Sequence, residues 1–239
     1  MQNYLYDRIP TCAAIIMPRV LVVDGDNTLW RGRAAEGIGK AMFVQEIKRV
    51  HIPTVLRGLK GKKEVEALVK DLGGVEGEMQ GQKRFYQVLI ENGLGERTQM
   101  LRFAGEYIRT HIIDSVSVIV AAALSSDTPV FLSTASGTSA AQYARVSLFD
   151  SSLTDSRSNE EVFSISGRLT DFRMSITTGE NKLHETEVML AQYGISIGDC
   201  EVIGDSALDI PLLKSAKRPL ASPYATDEVK AVRGITVLS

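Results

Sequence analysis

The sequence predicts an α/β fold in which a parallel-sheet core is interrupted by a helical insert. In the carboxyl-terminal half, short apolar runs alternate with segments of helical periodicity, which is the pattern of strands joined by helical crossovers. Such crossovers are right-handed and give a largely parallel sheet. Residues 33–112 show helical periodicity and contain no convincing buried strand. We therefore expect residues 1–32 and 113–239 to form the core, and residues 33–112 to form a separate helical bundle, called the cap below.

The core elements are predicted in chain order from apolar runs and their boundaries. VLVV (20–23), PVFLST (129–134) and CEVIG (200–204) predict buried strands, and residues 161–174 alternate around Ser-Gly-Arg as a hairpin does. Helices are predicted at 115–124, 138–146 and 181–194, and Gly194 marks the end of the last one. Further strand and helix signals continue to GITVLS at the end of the chain.

Four segments of the insert are predicted to form the helices of the cap. In each segment, apolar residues recur at the spacing of three and four residues that places them on one helix face. The segments are KAMFVQEIKRV (40–50), KKEVEALVKDLG (62–73), QKRFYQVLIENG (82–93) and TQMLRFAGEYIRTHI (98–112). Together they predict a small bundle with its own apolar centre.

Composition and charge exclude several classes of protein. The chain has 239 residues, of which 44% are hydrophobic and 23% are charged, as is ordinary for a globular enzyme. A net charge of −2 provides no basic field for nucleic acid. Two cysteines, Cys12 and Cys200, are too few for a disulfide framework and favour a reducing compartment. The apolar run CAAIIM (12–17) is too short to span a bilayer and lacks a basic leader. We therefore expect a cytoplasmic location, with residues 1–16 as an extension outside the core.

Polar residues follow three of the predicted core strands. Asp24 and Asp26 come directly after VLVV, Thr134 ends PVFLST, and Asp205 follows CEVIG. A polar turn alone would explain Asp24 and Asp26, since Asp, Asn and Gly are common turn formers. A turn does not explain why all three strands end in groups suited to phosphate chemistry. Because ligands bind beyond the carboxyl ends of parallel strands, we expect these residues to share one site.

Four polar motifs follow one another along the predicted core. They are DGDNT (24–28), LSTAS (132–136), TGENK (178–182) and GDSALD (204–209). Their order, with a hairpin signal at SGRLTD (166–171) before the third, resembles the haloacid dehalogenase superfamily and especially its phosphoserine-phosphatase-like branch. The resemblance implies a Rossmann-like core, with a cap domain at the position of the helical insert.

The resemblance implies catalytic roles for four residues. Asp24 would attack the phosphoryl group and form an aspartyl-phosphate, which divides one difficult displacement into two easier ones. Asp26 would protonate the leaving alcohol and then activate the water that cleaves the intermediate. Thr134 would bind a phosphate oxygen, and Lys182 would neutralise the charge that the nucleophile and the phosphate share.

The resemblance also implies Mg²⁺ as the cofactor. Two carboxylates and a phosphate must share the site, and Mg²⁺ prefers oxygen ligands from carboxylates and substrate phosphate. The ligands would be the carboxylates of Asp24 and Asp205 and the main-chain carbonyl of Asp26. Asp209, four residues after Asp205, would orient the metal or Lys182. A simple helix cap explains Asp209 equally well.

Substrate contacts are predicted in two places. Ala135 and Ser136 follow Thr134, where backbone N–H groups would bind phosphate oxygens. In the cap, EGI (36–38) resembles the Glu-Gly-Ile with which phosphoserine phosphatases bind the substrate amine, so Glu36 is predicted to contact the substrate. The residues that could bind a substrate carboxylate are Arg31, Arg33 and Arg57.

Several positions have more than one interpretation at the level of sequence. Under a shifted alignment, Ser133 or Ser136 would replace Thr134 as the phosphate-binding hydroxyl. Trp30 is explained equally well as a wall of the cap entrance and as packing. Arginines that could replace Lys182 are Arg168 and Arg173, and the histidines without a metal-ligand pattern are His51, His111 and His184.

The function that these observations favour is a Mg²⁺-dependent phosphomonoesterase acting on a small phosphorylated metabolite, with phosphoserine among the possibilities. A 2-haloacid dehalogenase shares the aspartate nucleophile but lacks the second aspartate of the first motif, so Asp26 favours phosphate. The same fold also accommodates a phosphotransferase or a non-catalytic binding protein. The intact set of motif residues argues against a non-catalytic protein, and P-type ATPases would require membrane spans.

Overall fold

The computed structural model of the chain describes residues 20–48, 52–150 and 152–239. The strands among these residues form one seven-stranded sheet in the order β4-β3-β2-β1-β5-β6-β7. All neighbouring strands are parallel except β3 and β4, which form the antiparallel hairpin at one edge. The strands are β1 (Leu21–Val23), β2 (Val130–Gly137), β3 (Asp155–Phe163), β4 (Leu169–Arg173), β5 (Glu201–Gly204), β6 (Arg218–Ala221) and β7 (Thr236–Val237). The predicted α/β fold class is confirmed.

Four helices lie between β1 and the next core helix. They are α1 (Ala34–Lys48), α2 (Ile52–Leu72), α3 (Gly74–Glu91) and α4 (Arg97–Thr110). Gly73 and Gly74 adopt left-handed φ angles of 63° and 50°, which separates α2 from α3. In the part of the chain that the structure describes, no helix is both long and apolar enough to cross a membrane. The division into a core and a cap domain stays a prediction.

The remaining helices cover the sheet. They are α5 (Asp114–Ser125), α6 (Thr138–Tyr143), α7 (Gly179–Ala191), α8 (Ile210–Ser215) and α9 (Asp227–Lys230), and α6 continues as a π-helical turn over Ala144–Leu148. The N-cap of α7 is Thr178, whose hydroxyl accepts a hydrogen bond from the backbone N–H of Asn181. This cap fixes where α7 begins, and with it the position of its first turn.

The side chains of β1 alternate between two apolar clusters, one on each face of the sheet. Leu21 and Val23 belong to a cluster that includes Val116 and Val120 of α5. Val22, between them, belongs to a cluster that includes residues of α7 and α8. All three β1 side chains are fully buried, as expected for a central strand covered on both faces. The acidic segment after β1 therefore starts from a rigid position.

The cap helices also contact the core directly. A third apolar cluster joins residues of α1, α3 and α4 to Leu169 of β4. The ring of Tyr86 on α3 stacks on Phe172 of β4 with 3.7 Å between ring centroids. Its hydroxyl donates to Oε1 of Glu161 on β3 at 2.6 Å, and burial is the main reason that the pKa of Tyr86 is raised. The cap is thus anchored at the edge hairpin.

Candidate active site

The polar groups that lie after β1, within the last half of β2 and after β5 meet at the carboxyl end of the sheet. β1 lies between β2 and β5, with Val23 paired with Leu132 on one side and Ile203 on the other. The residues just beyond these pairs include Asp24, Thr134 and Asp205, which are all buried. They line one cavity of about 780 Å³ between this end of the sheet and the cap. The residues predicted from the sequence that line it are Asp24, Asp26, Arg33, Glu36, Thr134, Ala135, Lys182 and Asp205.

Gly25 lets the chain place two aspartates beside Thr134. A Cβ atom on Gly25 would lie 2.7 Å from both Thr134 Oγ1 and the ring of Trp30. The turn that follows is closed by backbone bonds from Thr28, Leu29 and Trp30 to the Gly25 carbonyl. Such contacts leave no room for a side chain, so glycine is required between Asp24 and Asp26.

Lys182 forms the centre of the buried charge network. Its Nζ donates to Asp24 Oδ1 at 2.5 Å and to Asp209 Oδ1 at 2.6 Å. Burial opposes the charge on Lys182, but the nearby carboxylates outweigh burial and raise its pKa. Lys182 is therefore held as an ammonium group directly beside Asp24. The two arginines considered from sequence, Arg168 and Arg173, do not line the cavity.

Asp209 combines the two roles that the sequence left open. Its Oδ1 accepts the bond from Lys182. Its Oδ2 accepts three bonds, from the backbone N–H of Asp205 at 3.1 Å and from the N–H and hydroxyl of Ser206, each at 3.0 Å. Asp209 is fully buried and does not line the cavity. It therefore caps the turn after β5 and holds Lys182 from behind.

Asp24 and Asp205 provide the oxygen donors that fit a divalent cation. Asp24, Asp205 and Asp209 each offer a carboxylate oxygen within 4.8 Å of the other two. Since both oxygens of Asp209 accept hydrogen bonds already, Asp24 and Asp205 are the better ligands. Burial raises the pKa of Asp24 to about 7, and Lys182 offsets only part of that effect. Burial and the charges of Asp24 and Asp209 raise the pKa of Asp205. A cation between these carboxylates would stabilise their charged forms, so the donor set fits Mg²⁺.

Asp26 is held by three donors that sequence reasoning did not identify. Oδ1 accepts from the indole Nε1 of Trp30 at 2.6 Å and from the backbone N–H of Ala34 at 3.0 Å. Oδ2 accepts from the hydroxyl of Ser136 at 2.7 Å. Burial raises the pKa of Asp26, and these three bonds counteract part of that rise. Trp30 is fully buried. A buried indole N–H needs an acceptor, so a tryptophan four residues after Asp26 is the feature of the sequence that could have indicated this bond.

The hydroxyl groups near the end of β2 have separate partners. Ser133 lies 2.7 Å from Thr186 of α7, hydroxyl to hydroxyl, and does not line the cavity. Thr134 lines the cavity, and its Oγ1 accepts a bond from the backbone N–H of Ser136 at 3.2 Å. Both polar groups of Ser136 are thus engaged with Thr134 and Asp26. Ser136 itself does not line the cavity, but these bonds orient two residues that do. The phosphate contact predicted for Ser136 stays a prediction.

The carbonyl of Ala135 is fixed from the cap and from the core. It accepts from Gln82 Nε2 of α3 at 2.9 Å and from Asn159 Nδ2 of β3 at 2.8 Å. Neither Gln82 nor Asn159 was identified from the sequence, because their bonds to Ala135 connect elements far apart in the chain. This clamp holds the segment after Thr134 in place.

Of the residues predicted to bind an amine or a carboxylate, Glu36 and Arg33 line the cavity. Glu36 lines the cavity and is exposed. Arg33 also lines it and forms an ion pair with Glu78 at 2.5 Å. Arg31 lies outside the lining, over the ring of Tyr224. The side chains of Arg57 and His51 fall outside the part of the chain that the structure describes.

Comparison with known proteins identifies the fold of this chain. Residues 150–238 match the family model of the haloacid dehalogenase-like hydrolases. No curated protein sequence matches the chain. A phosphoserine phosphatase solved as a phospho-aspartyl intermediate analogue is 18% identical, with a TM-score of 0.65 over 92% of this chain and 93% of that chain. A substrate-bound phosphoserine phosphatase is 15% identical, with a TM-score of 0.65 over 92% of each chain.

A third similar structure belongs to a protein with unknown function from Bordetella pertussis Tohama I. It is 17% identical, with a TM-score of 0.70 over 93% of this chain and 99% of that chain. At such identities the likeness shows a shared fold, and it extends over nearly the whole chain. The resemblance inferred from the four sequence motifs is confirmed.

Proposed function

This chain has the haloacid dehalogenase-like fold, and from that premise we propose that it is a Mg²⁺-dependent phosphomonoesterase of a small phosphorylated metabolite. The observation that carries the proposal is the buried Lys182 ammonium, which joins Asp24 to Asp209 beside Asp205. A site of this kind suits a phosphate, since Asp24 can serve as the nucleophile and Lys182 can balance the negative charge of the phosphate. The proposal includes a cytoplasmic location, supported by the free, buried thiol of Cys200.

In the first step, a carboxylate oxygen of Asp24 forms a bond to phosphorus while the bond from phosphorus to the ester oxygen breaks. Lys182 and the Thr134 hydroxyl bind phosphate oxygens as charge shifts onto them. Asp26 gives its proton to the departing alkoxide, which leaves as a neutral alcohol. Burial raises the pKa of Asp26, which favours the protonated form that this step needs.

In the second step, water cleaves the aspartyl-phosphate. Asp26, now a carboxylate, takes a proton from the attacking water as the new bond to phosphorus forms. The bond between phosphorus and Asp24 breaks, and Asp24 is restored as a carboxylate beside Lys182. The bonds from Trp30 and Ser136 hold Asp26 in one orientation for both proton transfers.

The residues that would hold Mg²⁺ are Asp24 and Asp205, together with the main-chain carbonyl of Asp26. When bound, the ion supplies positive charge that neutralises the carboxylates and orients the substrate phosphate. Thr28 contributes to the same site, because its hydroxyl donates to Asp205 Oδ1 at 3.1 Å and fixes that carboxylate.

The proposal is tested with p-nitrophenyl phosphate in the presence of Mg²⁺ and in the presence of EDTA. We expect hydrolysis that EDTA abolishes and that added Mg²⁺ restores. Asp24→Asn should remove activity, since an amide is a poor nucleophile, whereas the control Asp199→Asn changes an exposed aspartate outside the site. Near-normal hydrolysis by folded Asp24→Asn would contradict the mechanism. Release of chloride from a 2-chloroacid without phosphatase activity would favour a dehalogenase, and product found only with an added alcohol would favour a phosphotransferase.

A further inference from the structure

The cavity at the candidate active site extends well beyond the phosphate-binding groups. One end is formed by Asp24, Thr134 and Lys182, and the rest lies among the helices of the cap. Its volume of about 780 Å³ lies within the range of roughly 300–1,000 Å³ that holds drug-sized ligands. An amino-acid phosphate such as phosphoserine would occupy only the end next to the catalytic residues. The residues that form the walls of the remaining space therefore help to determine which substrate fits.

The cap part of the cavity has apolar walls contributed by three helices. Residues of α1, α2 and α3 face it together, and apolar side chains are the largest group among them. The apolar lining includes Met42, Val65, Val69, Met79, Phe85 and Val88. Val65 and Val69 lie one turn apart on α2, so they present a continuous apolar strip along the cavity.

The charged residues around the cavity are paired with one another or exposed. Arg33 pairs with Glu78 at 2.5 Å, and Lys62 pairs with Glu66 at 3.5 Å. Glu36, Lys40 and Lys70 also line the cavity, and all three side chains are exposed. Within each of the two pairs the charges cancel. The apolar walls are therefore the main surface available to the alcohol part of the substrate.

We propose that the substrate is a phosphate monoester of an alcohol with an apolar hydrocarbon body, which enters the cap while its phosphate binds at Asp24 and Lys182. The proposal rests on the phosphomonoesterase function above. Each methylene transferred from water into an apolar site improves binding about threefold to fourfold. A hydrocarbon body gains this factor repeatedly along the strip of Val65 and Val69, whereas the ionic groups of phosphoserine would lose hydration against these walls.

The test is a series of n-alkyl phosphates from ethyl to octyl, each below its micelle concentration, with phosphoserine for comparison. We expect kcat/KM to rise about threefold with each added methylene until the cavity is filled. Hexyl phosphate should exceed phosphoserine. An active enzyme whose kcat/KM is flat or falls along the series, or that prefers phosphoserine, would overturn this inference alone. A folded chain that hydrolyses no phosphate ester in the presence of Mg²⁺ would overturn the proposed function as well.

A matched pair of variants locates the effect in the cavity. Val69→Asn places a polar amide on the apolar wall, and we expect it to lower the ratio of octyl to ethyl kcat/KM at least about fourfold. Val188→Asn is the same change on a helix outside the cavity, at a side chain that is 41% exposed, and should leave the ratio unchanged. Circular dichroism establishes that both variants are folded. Equal ratios in the two variants would contradict the location of the hydrocarbon body.

Discussion

Replacing Trp30 with phenylalanine removes one donor from Asp26 and keeps an aromatic ring in the core. The indole Nε1 donates to Asp26 Oδ1 at 2.6 Å, and Trp30 is fully buried. Two other donors, the backbone of Ala34 and the hydroxyl of Ser136, remain on Asp26 in this variant. We expect Trp30→Phe to fold and to bind substrate, but to transfer protons less efficiently because Asp26 is less well oriented.

The magnitude follows from the strength of the lost bond. A hydrogen bond to a charged group contributes about 1.5–3 kcal/mol. If all of it were expressed in the transition state, kcat would fall about tenfold to a hundredfold, since each 1.4 kcal/mol or so is a factor of ten. Because the two remaining donors still fix both oxygens of Asp26, we expect a loss of about tenfold, near the lower end of that range.

The assay is steady-state hydrolysis of p-nitrophenyl phosphate at saturating Mg²⁺, with kcat and KM determined separately. The control is Phe131→Leu, which also perturbs a fully buried aromatic but lies in the apolar cluster with α7 and α8, away from Asp26. We expect the control to lose stability and keep kcat. If folded Trp30→Phe retains kcat within about twofold of the unchanged chain, the indole does not position Asp26.

Two further predictions concern residues that shape the site. Gly25→Ala places a Cβ about 2.7 Å from Thr134 Oγ1 and the Trp30 ring, so we expect a loss of about 1–3 kcal/mol in the free energy of unfolding. Denaturant titration checks this against Gly198→Ala, where the nearest atom is 3.7 Å away; equal stabilities would show that the turn accommodates a side chain. Asp209→Asn removes the negative charge that holds Lys182. It also replaces one accepting oxygen with an amide N–H₂, which cannot accept the hydrogen bonds that Asp209 accepts now. We therefore expect about 1–3 kcal/mol less stability and at least a tenfold lower kcat. Unchanged kcat in that variant would mean that Lys182 keeps its position without Asp209.

The parts of the fold that the sequence predicted are those with a strong local pattern. β1 and β5 are short apolar runs, and the periodicity of 181–194 gave α7 within a few residues. Since the carboxyl ends of parallel strands lie at the same end of a sheet, the fold class predicted that Asp24 and Asp205 share that end. The pairing of β1 with β5 brings them together. The hairpin was predicted to begin at Glu161, whereas β3 begins at Asp155. The residues before Glu161 are polar, and their strand depends on backbone pairing with β2, which a hydrophobic pattern does not reveal.

The contacts that the sequence did not reveal join distant parts of the chain. The hydroxyl of Ser136 donates to Asp26, 110 positions earlier, a bond that no local pattern indicates. Gln82 of the cap reaches the carbonyl of Ala135 for the same reason, namely that packing decides which donors meet which acceptors. The apolar cavity likewise depends on how α1, α2 and α3 pack together. Amphipathic periodicity predicts helices, but it does not predict the space between them.

The most direct measurement of the central claim is the site of covalent phosphorylation during turnover. The enzyme is mixed with an alkyl phosphate and Mg²⁺, quenched in acid within the first turnovers, digested, and analysed by mass spectrometry. We expect one phosphoryl group on the peptide that contains Asp24, and none on that peptide in Asp24→Asn. A chain that hydrolyses the ester while phosphate appears on another residue, or on none at any quench time, would contradict Asp24 as the nucleophile.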